Sequence, residues 1–260
     1  QYHLFKSCGW NVPYFAHMPL IHGNDGAKLS KRHGALGIET YQDMGILPEA
    51  MKNYLLRLGW SHGNDEIISM NQAVSWFDLA SVGRAPSRFD IEKLNNLNSH
   101  YIKENTDKFL VDLIIPRIEL LLSKSITKSM KQRLLLGMPS LKQRANNINL
   151  LAENALFYCQ DLPLAFNDKA SKFINKNSIK NLKSLGKLLK NQDIWEINQL
   201  EVTTKEFAKA NEIKLGEIAQ PLRAALTGAS VSPGIFDIMY ALGRNETLSR
   251  INEFGNAQTK

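Results

Sequence analysis

Apolar residues recur every three or four positions through most of this chain, and that spacing constrains its fold more than any other feature. Met51, Tyr54, Leu55 and Leu58 form one stripe behind Leu47-Pro48-Glu49-Ala50, with Gly59 to close it. Phe109, Leu110, Leu113, Ile114, Ile118, Leu121 and Leu122 form a second, in which Pro116 predicts a kink or a boundary two residues earlier. A third runs through Ile148, Leu151, Ala155 and Tyr158, and a fourth through Ile179, Leu182, Leu185 and Leu189. Side chains three and four apart share a helix face, so each stripe reads as the buried side of an α-helix. Capping chemistry adds detail near the carboxyl end. Thr203 with Glu206 three residues on predicts a capping box ahead of Phe207 and Ala210. Ser232-Pro233 predicts an N-cap and a first-turn proline, with Gly243 closing that helix. Asn245 predicts the start of a last helix carrying Leu248, Ile251 and Phe254 and ending at Gly255. Extended structure is expected only over 14–21 and at Ile67-Ile68. The chain reads as mainly α.

Its 260 residues suffice for two domains. No apolar run is long enough to span a bilayer. The start at Gln1, without an initiator Met or a basic-then-apolar leader, predicts a fragment of a longer protein with no secretory signal. Cys8 and Cys159 lie far apart with no Cys or His at metal-ligand spacing. That pattern predicts two buried thiols in a reducing cytoplasm, with neither a disulfide framework nor a zinc site. The formal net charge of +7 is unevenly spread: residues 117–190 hold fourteen Lys/Arg against four Asp/Glu, a local +10, leaving −3 for the rest. Such a basic middle has the form of a phosphate-backbone footprint. The same lysines at helical spacing (Lys172, Lys176, Lys180, Lys183, Lys187 and Lys190) equally fit the wet face of an amphipathic helix.

One short run carries chemistry. Pro19-Leu20-Ile21-His22 leads into Gly23, Asn24, Asp25 and Gly26, all turn residues, and then Ala27 precedes Lys28-Leu29-Ser30-Lys31-Arg32. Three cations within five positions repel one another unless an anion sits among them, and a nucleotide polyphosphate is one such anion. As bare chemistry, a solvated basic loop and a phosphate grip both remain open.

The stretch 19–35, PLIHGNDGAKLSKRHGA, resembles the second ATP-binding signature, the KMSKS-type loop, of class I aminoacyl-tRNA synthetases, in the variant of the bacterial glutamyl-tRNA synthetases. Residues 47–61 (LPEAMKNYLLRLGWS), 89–102 (FDIEKLNNLNSHYI) and 220–243 (QPLRAALTGASVSPGIFDIMYALG) resemble the same family in the same order. The resemblance implies the end of a class I catalytic domain with the loop over 1–37 and a small α/β stem-contact domain over 38–105. It further implies an all-helical anticodon-binding cage in two modules, 106–162 and 163–260. The implied activity is ATP-dependent attachment of glutamate to tRNA(Glu) through a glutamyl-adenylate, with Mg2+ accompanying ATP.

Within the loop, the resemblance gives Lys31 the role of neutralising phosphate charge in the transition state. Lys28 assists and holds the closed form. Leu29, Ser30 and Arg32 complete the ATP-binding run, Ser30 orienting it through hydrogen bonds. Arg32 stands where the general class I pattern ends in serine, as it commonly does in glutamyl enzymes. In the cage, Arg223 is implied to contact anticodon bases with Ser232 and Ile235 near it, and Arg144 to sense the final anticodon base. The nucleotide-binding half, with its His-x-Gly-His signature and the arginine for the substrate carboxylate, has no counterpart here, so this stretch alone is expected to be inactive. The implied partners are tRNA(Glu), with tRNA(Gln) left open, for a monomer without membrane attachment. Two other readings stand beside it: a tRNA-binding module without catalysis, and a glutaminyl relative. The second would need alternating strand segments after Asp107, which the sequence lacks.

Overall fold

The computed structural model describes residues 1–23, 25–29 and 37–256, and the chain divides into two compact units, Gln1–Asn98 and Ser99–Lys260. Unit 1 contains α1 (Tyr2–Ser7), β1 (Ile21–His22), α2 (Ile38–Asp43), α3 (Pro48–Arg57), α4 (Met70–Trp76), β2 (Ser87–Arg88) and the start of α5 (Ile91–Glu104). The two strands pair in parallel, Ile21 with Ser87 and His22 with Arg88. The extended run expected over 14–21 thus reaches a strand only at Ile21, and Ile67-Ile68 forms none.

Buried amides replace a larger sheet. Asn53, on α3, accepts the Ile68 N–H at 2.9 Å and donates to the Glu66 carbonyl at 3.1 Å. Asn98 accepts the Leu47 N–H at 2.8 Å and donates to the Gly45 carbonyl at 3.1 Å. A buried backbone group needs a partner, and each side-chain amide supplies one donor and one acceptor to a loop that has no ladder. The Leu47–Gly59 segment is the helix its stripe predicts, with Leu47 as the N-cap; Met51 and Tyr54 of the stripe are buried, whereas Leu55 is 48% exposed.

Unit 2 is helical throughout its described residues: the end of α5, then α6 (Asp107–Leu122), α7 (Lys128–Leu141), α8 (Ile148–Ala155), α9 (Asp168–Ser171), α10 (Lys176–Lys190), α11 (Ile197–Ala210), α12 (Leu215–Thr227) and α13 (Ile235–Asn256). Thr106, Thr127, Asn147 and Asn175 cap α6, α7, α8 and α10 through their side chains. Pro116 neither breaks α6 nor ends it. The carbonyl left without its helical N–H by the proline is that of Asp112, one acceptor in a helix that otherwise continues to Leu122. Thr203 and Glu206 form no capping box; they lie inside α11, which starts six residues earlier and buries Leu200, Thr204 and Phe207 along one face. The helix after Ser232-Pro233 begins at Ile235, and the Gly234 carbonyl accepts its first bond, from the Ile238 N–H at 3.1 Å.

Gly243 does close that helix, as its position suggested. With φ 77° and ψ 167° it breaks α13 into two segments. Only glycine adopts that conformation readily. The second segment brings Arg250 into the interior at 1% exposure, where Nη1 donates to the Leu226 carbonyl at 2.5 Å and Nε to Glu246 at 2.8 Å. Glu246 also accepts from Arg133 at 2.8 Å, so one carboxylate serves two guanidiniums. Burial pushes the Arg250 pKa down, and Glu246 holds the charge in place. At the α7 contact, the ring of the buried Tyr158 lies directly against Gly137, where a Cβ would intrude on it.

Candidate functional site

The described residues singled out from the sequence fall in two places, one in each unit. In unit 1 a hairpin root carries Lys28, the first cation of the run. His22 and Lys28 form an antiparallel bridge, and the Leu29 N–H donates to the Ile21 carbonyl at 2.8 Å. Between them the Gly23 N–H donates to the Ala27 carbonyl at 2.9 Å and the Gly26 N–H to Gly23 at 3.0 Å. Gly26 takes φ +78°, a value glycine adopts without strain. The Asp25 carboxylate accepts the Ala27 N–H at 3.0 Å.

The outgoing side is fastened too. The Ser87 N–H donates to the Leu20 carbonyl at 3.1 Å and the Phe89 N–H to the His22 carbonyl at 2.8 Å. Lys28 is exposed at the end of this root. Asn24, Ser30, Lys31 and Arg32 lie outside the described residues. The hairpin geometry was legible in the Gly/Asp turn, but the partner strand at Ser87–Arg88 was not, since two residues carry no periodicity.

In unit 2, Arg144 closes a 3-10 turn, Lys142–Arg144, and Arg223 sits in α12 two residues after Pro221. Their guanidiniums converge on one carbonyl: Arg144 Nη1 donates to Ser232 O at 2.7 Å and Arg223 Nη1 to the same oxygen at 3.1 Å. Arg223 Nη1 also donates to Pro233 O at 2.7 Å and bonds the Ser232 hydroxyl, which itself donates to Pro233 O at 3.0 Å. Ser232 is 8% exposed, and its hydroxyl serves Arg223 instead of capping a helix. Ile235, at 6% exposure, packs into the interior as the first residue of α13. Burial, and then the like charge of Arg144, hold the Arg223 pKa below the usual arginine range.

The loop from Gly228 to Gly234 that carries Ser232 is itself anchored. Gly228 ends α12 in the left-handed conformation, and its carbonyl accepts the Asn167 N–H at 2.9 Å. Val231, on the same loop, is 75% exposed. Beside these residues opens a cavity of about 440 Å3 lined by Arg144, Glu153, Asn154, Phe157, Gln160 and Val231, among others. It offers a guanidinium, a carboxylate, two amides and an aromatic wall, which together can stack a planar ring and hydrogen-bond its edge. Sequence reading missed Glu153, Asn154 and Gln160. They fall between or just beyond the members of the α8 stripe, where any amphipathic helix carries polar residues, so the sequence holds no signal for them. Lys142 is engaged structurally, 2.9 Å from an Asp107 carboxylate oxygen and 3.1 Å from the Asn105 carbonyl.

Among the described residues no group of three or more His, Cys, Asp or Glu side chains is placed to hold a metal ion, and no helix is long and apolar enough to cross a membrane. Cys8 is exposed and Cys159 buried, so only the second matches the expectation of two buried thiols.

Against known proteins, the family model of the catalytic domain of class I tRNA synthetases (E and Q) matches residues 1–96, and that of an anticodon binding domain matches residues 89–254. A glutamate–tRNA ligase 2 of Paramagnetospirillum magneticum is 54% identical over 97% of this chain and 53% of its own length. The corresponding ligase of Zymomonas mobilis is 52% identical over the same shares. Among solved structures, a glutamate tRNA ligase from Elizabethkingia meningosepticum superposes with a TM-score of 0.81 at 27% identity, covering 98% of this chain and 53% of that one. The chain spans about half the length of the curated relatives it matches.

Proposed function

This chain belongs to the class I tRNA synthetases of the glutamate–tRNA ligase kind, and from that premise we propose that it supplies the phosphate-facing loop and the anticodon grip of an enzyme that charges tRNA(Glu). The observation that carries the anticodon half is the convergence of Arg144 and Arg223 on the Ser232 carbonyl beside a largely apolar cavity edged by polar side chains in the anticodon-domain unit. Planar guanidiniums held by backbone acceptors are pre-oriented for base edges and phosphates. In this reading Arg144 senses the last anticodon base. Arg223 fixes the Ser232 loop and turns its remaining N–H groups to the RNA. Ser232 and Ile235 set the loop's position from below.

The adenylate half rests on the hairpin root that presents Lys28. Lys31 neutralises the phosphates as pyrophosphate leaves, with Lys28, Leu29, Ser30 and Arg32 completing the ATP contact. Mg2+ arrives on the nucleotide phosphates, as such ions usually do, and needs no cage from the described residues. Residues 38–105 take the inner corner of the tRNA, and 106–162 with 163–260 form the cage. The enzyme works as a cytoplasmic monomer, on tRNA(Glu) and, where anticodon contacts allow, tRNA(Gln).

Transcripts of tRNA(Glu) altered only at the third anticodon base test the reading. The parent chain should prefer the native base, and Arg144→Gln should flatten that preference by about tenfold, the scale of one base contact. Unchanged discrimination would refute the anticodon assignment. In an enzyme that includes the nucleotide-binding half, Lys31→Ala should slow glutamate-dependent pyrophosphate exchange at least 100-fold, and an unchanged rate would remove the loop from the reaction. The 260-residue chain alone should show no exchange.

A further inference from the structure

The lysines of α10 have no part in either cluster, and all five fall on one face of the helix. Lys176, Lys180, Lys183, Lys187 and Lys190 are all exposed. At 3.6 residues per turn they fall within an arc of about 80°, opposite the buried Leu182, Leu185 and Leu189, along about 21 Å of helix. The helix contains no acidic residue. Lys172, exposed on the connection before it, precedes the row by one turn's spacing.

An ordinary wet face mixes signs, and several lysines elsewhere in unit 2 are matched by carboxylates. Lys124 pairs with Asp161, Lys131 with Asp112, Lys142 with Asp107 and Lys205 with Glu201. Among the described residues, no ion pair holds any of the five α10 lysines. Successive members stand at i,i+4 or i,i+3, where like charges disfavour a helix. Lys176 occupies the first helical position, where the dipole favours an anion. A single-sign row held against its own repulsion is complementary to a regular line of negative charge.

We propose that the outer face of α10 is a second RNA-contacting surface: a sequence-independent grip on the tRNA phosphate backbone, built from elements other than those of the Arg144–Arg223 cluster. It rests on the reading of tRNA as the partner. The single-sign row, evenly spaced along the helix, favours a polyanion of regular spacing; an acidic protein would instead anchor in the apolar cavity that Lys187 borders with Phe207, Ala210 and the half-exposed Leu188.

The test is filter binding of tRNA(Glu) transcripts to the full 260-residue chain and to K180Q/K183Q/K187Q, across 0.1 to 1 M salt. Each phosphate contact contributes a slope of about 0.7–0.9 in log K against log salt. Three lost contacts should flatten the slope by about 2–3 and weaken binding about 100- to 500-fold at 0.1 M, the two curves meeting near 1 M. The loss should be equal for every anticodon variant, and K180R/K183R/K187R should restore parental binding. Circular dichroism checks that α10 is retained in both. If the parent discriminates anticodons but the triple variant keeps its slope, the α10 proposal fails and the proposed function stands. If the parent binds no tRNA, both fail. If tRNA binding is unchanged while affinity for poly-L-glutamate drops, the face belongs to an acidic protein and the RNA assignment is overturned.

Discussion

Removing Arg144 and Arg223 together should destabilise unit 2 by more than the sum of the separate removals, and the hydrogen bonds say by how much. In Arg223→Ala the Ser232 carbonyl keeps Arg144 at 2.7 Å, and the Pro233 carbonyl keeps the Ser232 hydroxyl at 3.0 Å. No buried acceptor is then orphaned, so the loss is that of a charged hydrogen bond plus stem packing, offset by relief of burial and of repulsion from Arg144: about 1–2 kcal/mol. In Arg144→Ala the carbonyl keeps Arg223 at 3.1 Å, and the exposed arginine contributes only about 0.5 kcal/mol. The double variant leaves the Ser232 carbonyl without either donor in a residue only 8% exposed, which adds about 1–3 kcal/mol for the unsatisfied group. Repulsion between the two cations is relieved by either single change and cannot be relieved twice, which pushes in the same direction. The double should therefore exceed the sum by about 1–2 kcal/mol. Amide hydrogen exchange across α12 and α13 in the four proteins reads the stability of this unit without interference from the other. Additivity within about 0.4 kcal/mol, or a shortfall, would show that the two guanidiniums do not share one acceptor.

Other consequences are as direct. Gly137→Ala should lower stability by about 1–2 kcal/mol, since overpacking against the Tyr158 ring outweighs the gain in helix propensity; a thermal melt at or above the parental temperature would contradict the contact. Burial pushes the Cys159 thiol up to about 11, so at pH 8 iodoacetamide should label Cys8 quickly and Cys159 only after unfolding; mass spectrometry showing two fast sites would overturn this. The Lys131 ammonium, bonded to Asp112 at 2.6 Å, holds that carboxyl below the ordinary 3.8. A depressed folded pKa means stability that is complete above the carboxylate range and lost as the pH falls through the folded value. Lys131→Met should accordingly move the Asp112 midpoint, followed by carboxyl carbon NMR, up towards 3.8, and an unmoved midpoint would deny the pair a role.

The helices were legible because burial writes a three- and four-residue rhythm that survives without any knowledge of partners. Leu182, Leu185 and Leu189 face inward where their spacing placed them. Local capping signals misled where a longer rhythm overrode them. Thr203 and Glu206 satisfy a cap's chemistry, yet Leu200 and Phe207 already belong to one face, and burying that face outweighs any cap at Thr203. Pro116 was read as a kink or a boundary because its missing N–H weighs against a helix, yet the apolar stripe on both sides of it carries α6 through to Leu122. Polar residues in the interior left no trace in the pattern: Asn53, Asn98 and Arg250 look like surface residues until their partners are known. At the candidate site the basic residues were readable as types, whereas their meeting at Ser232 depends on how α12 and the Lys142–Arg144 turn are brought together by the bundle.

The placement of Arg250 bears on how the last helix is held. Its guanidinium completes the middle of the bundle, satisfying the Leu226 carbonyl and the carboxylate of Glu246, and it can do so only after the glycine break has redirected the backbone. If the segment after Gly243 came away, the Leu226 carbonyl would lose its donor and Arg133 its carboxylate in one motion, so this stretch opens only at the full cost of unpaired polar groups in the interior.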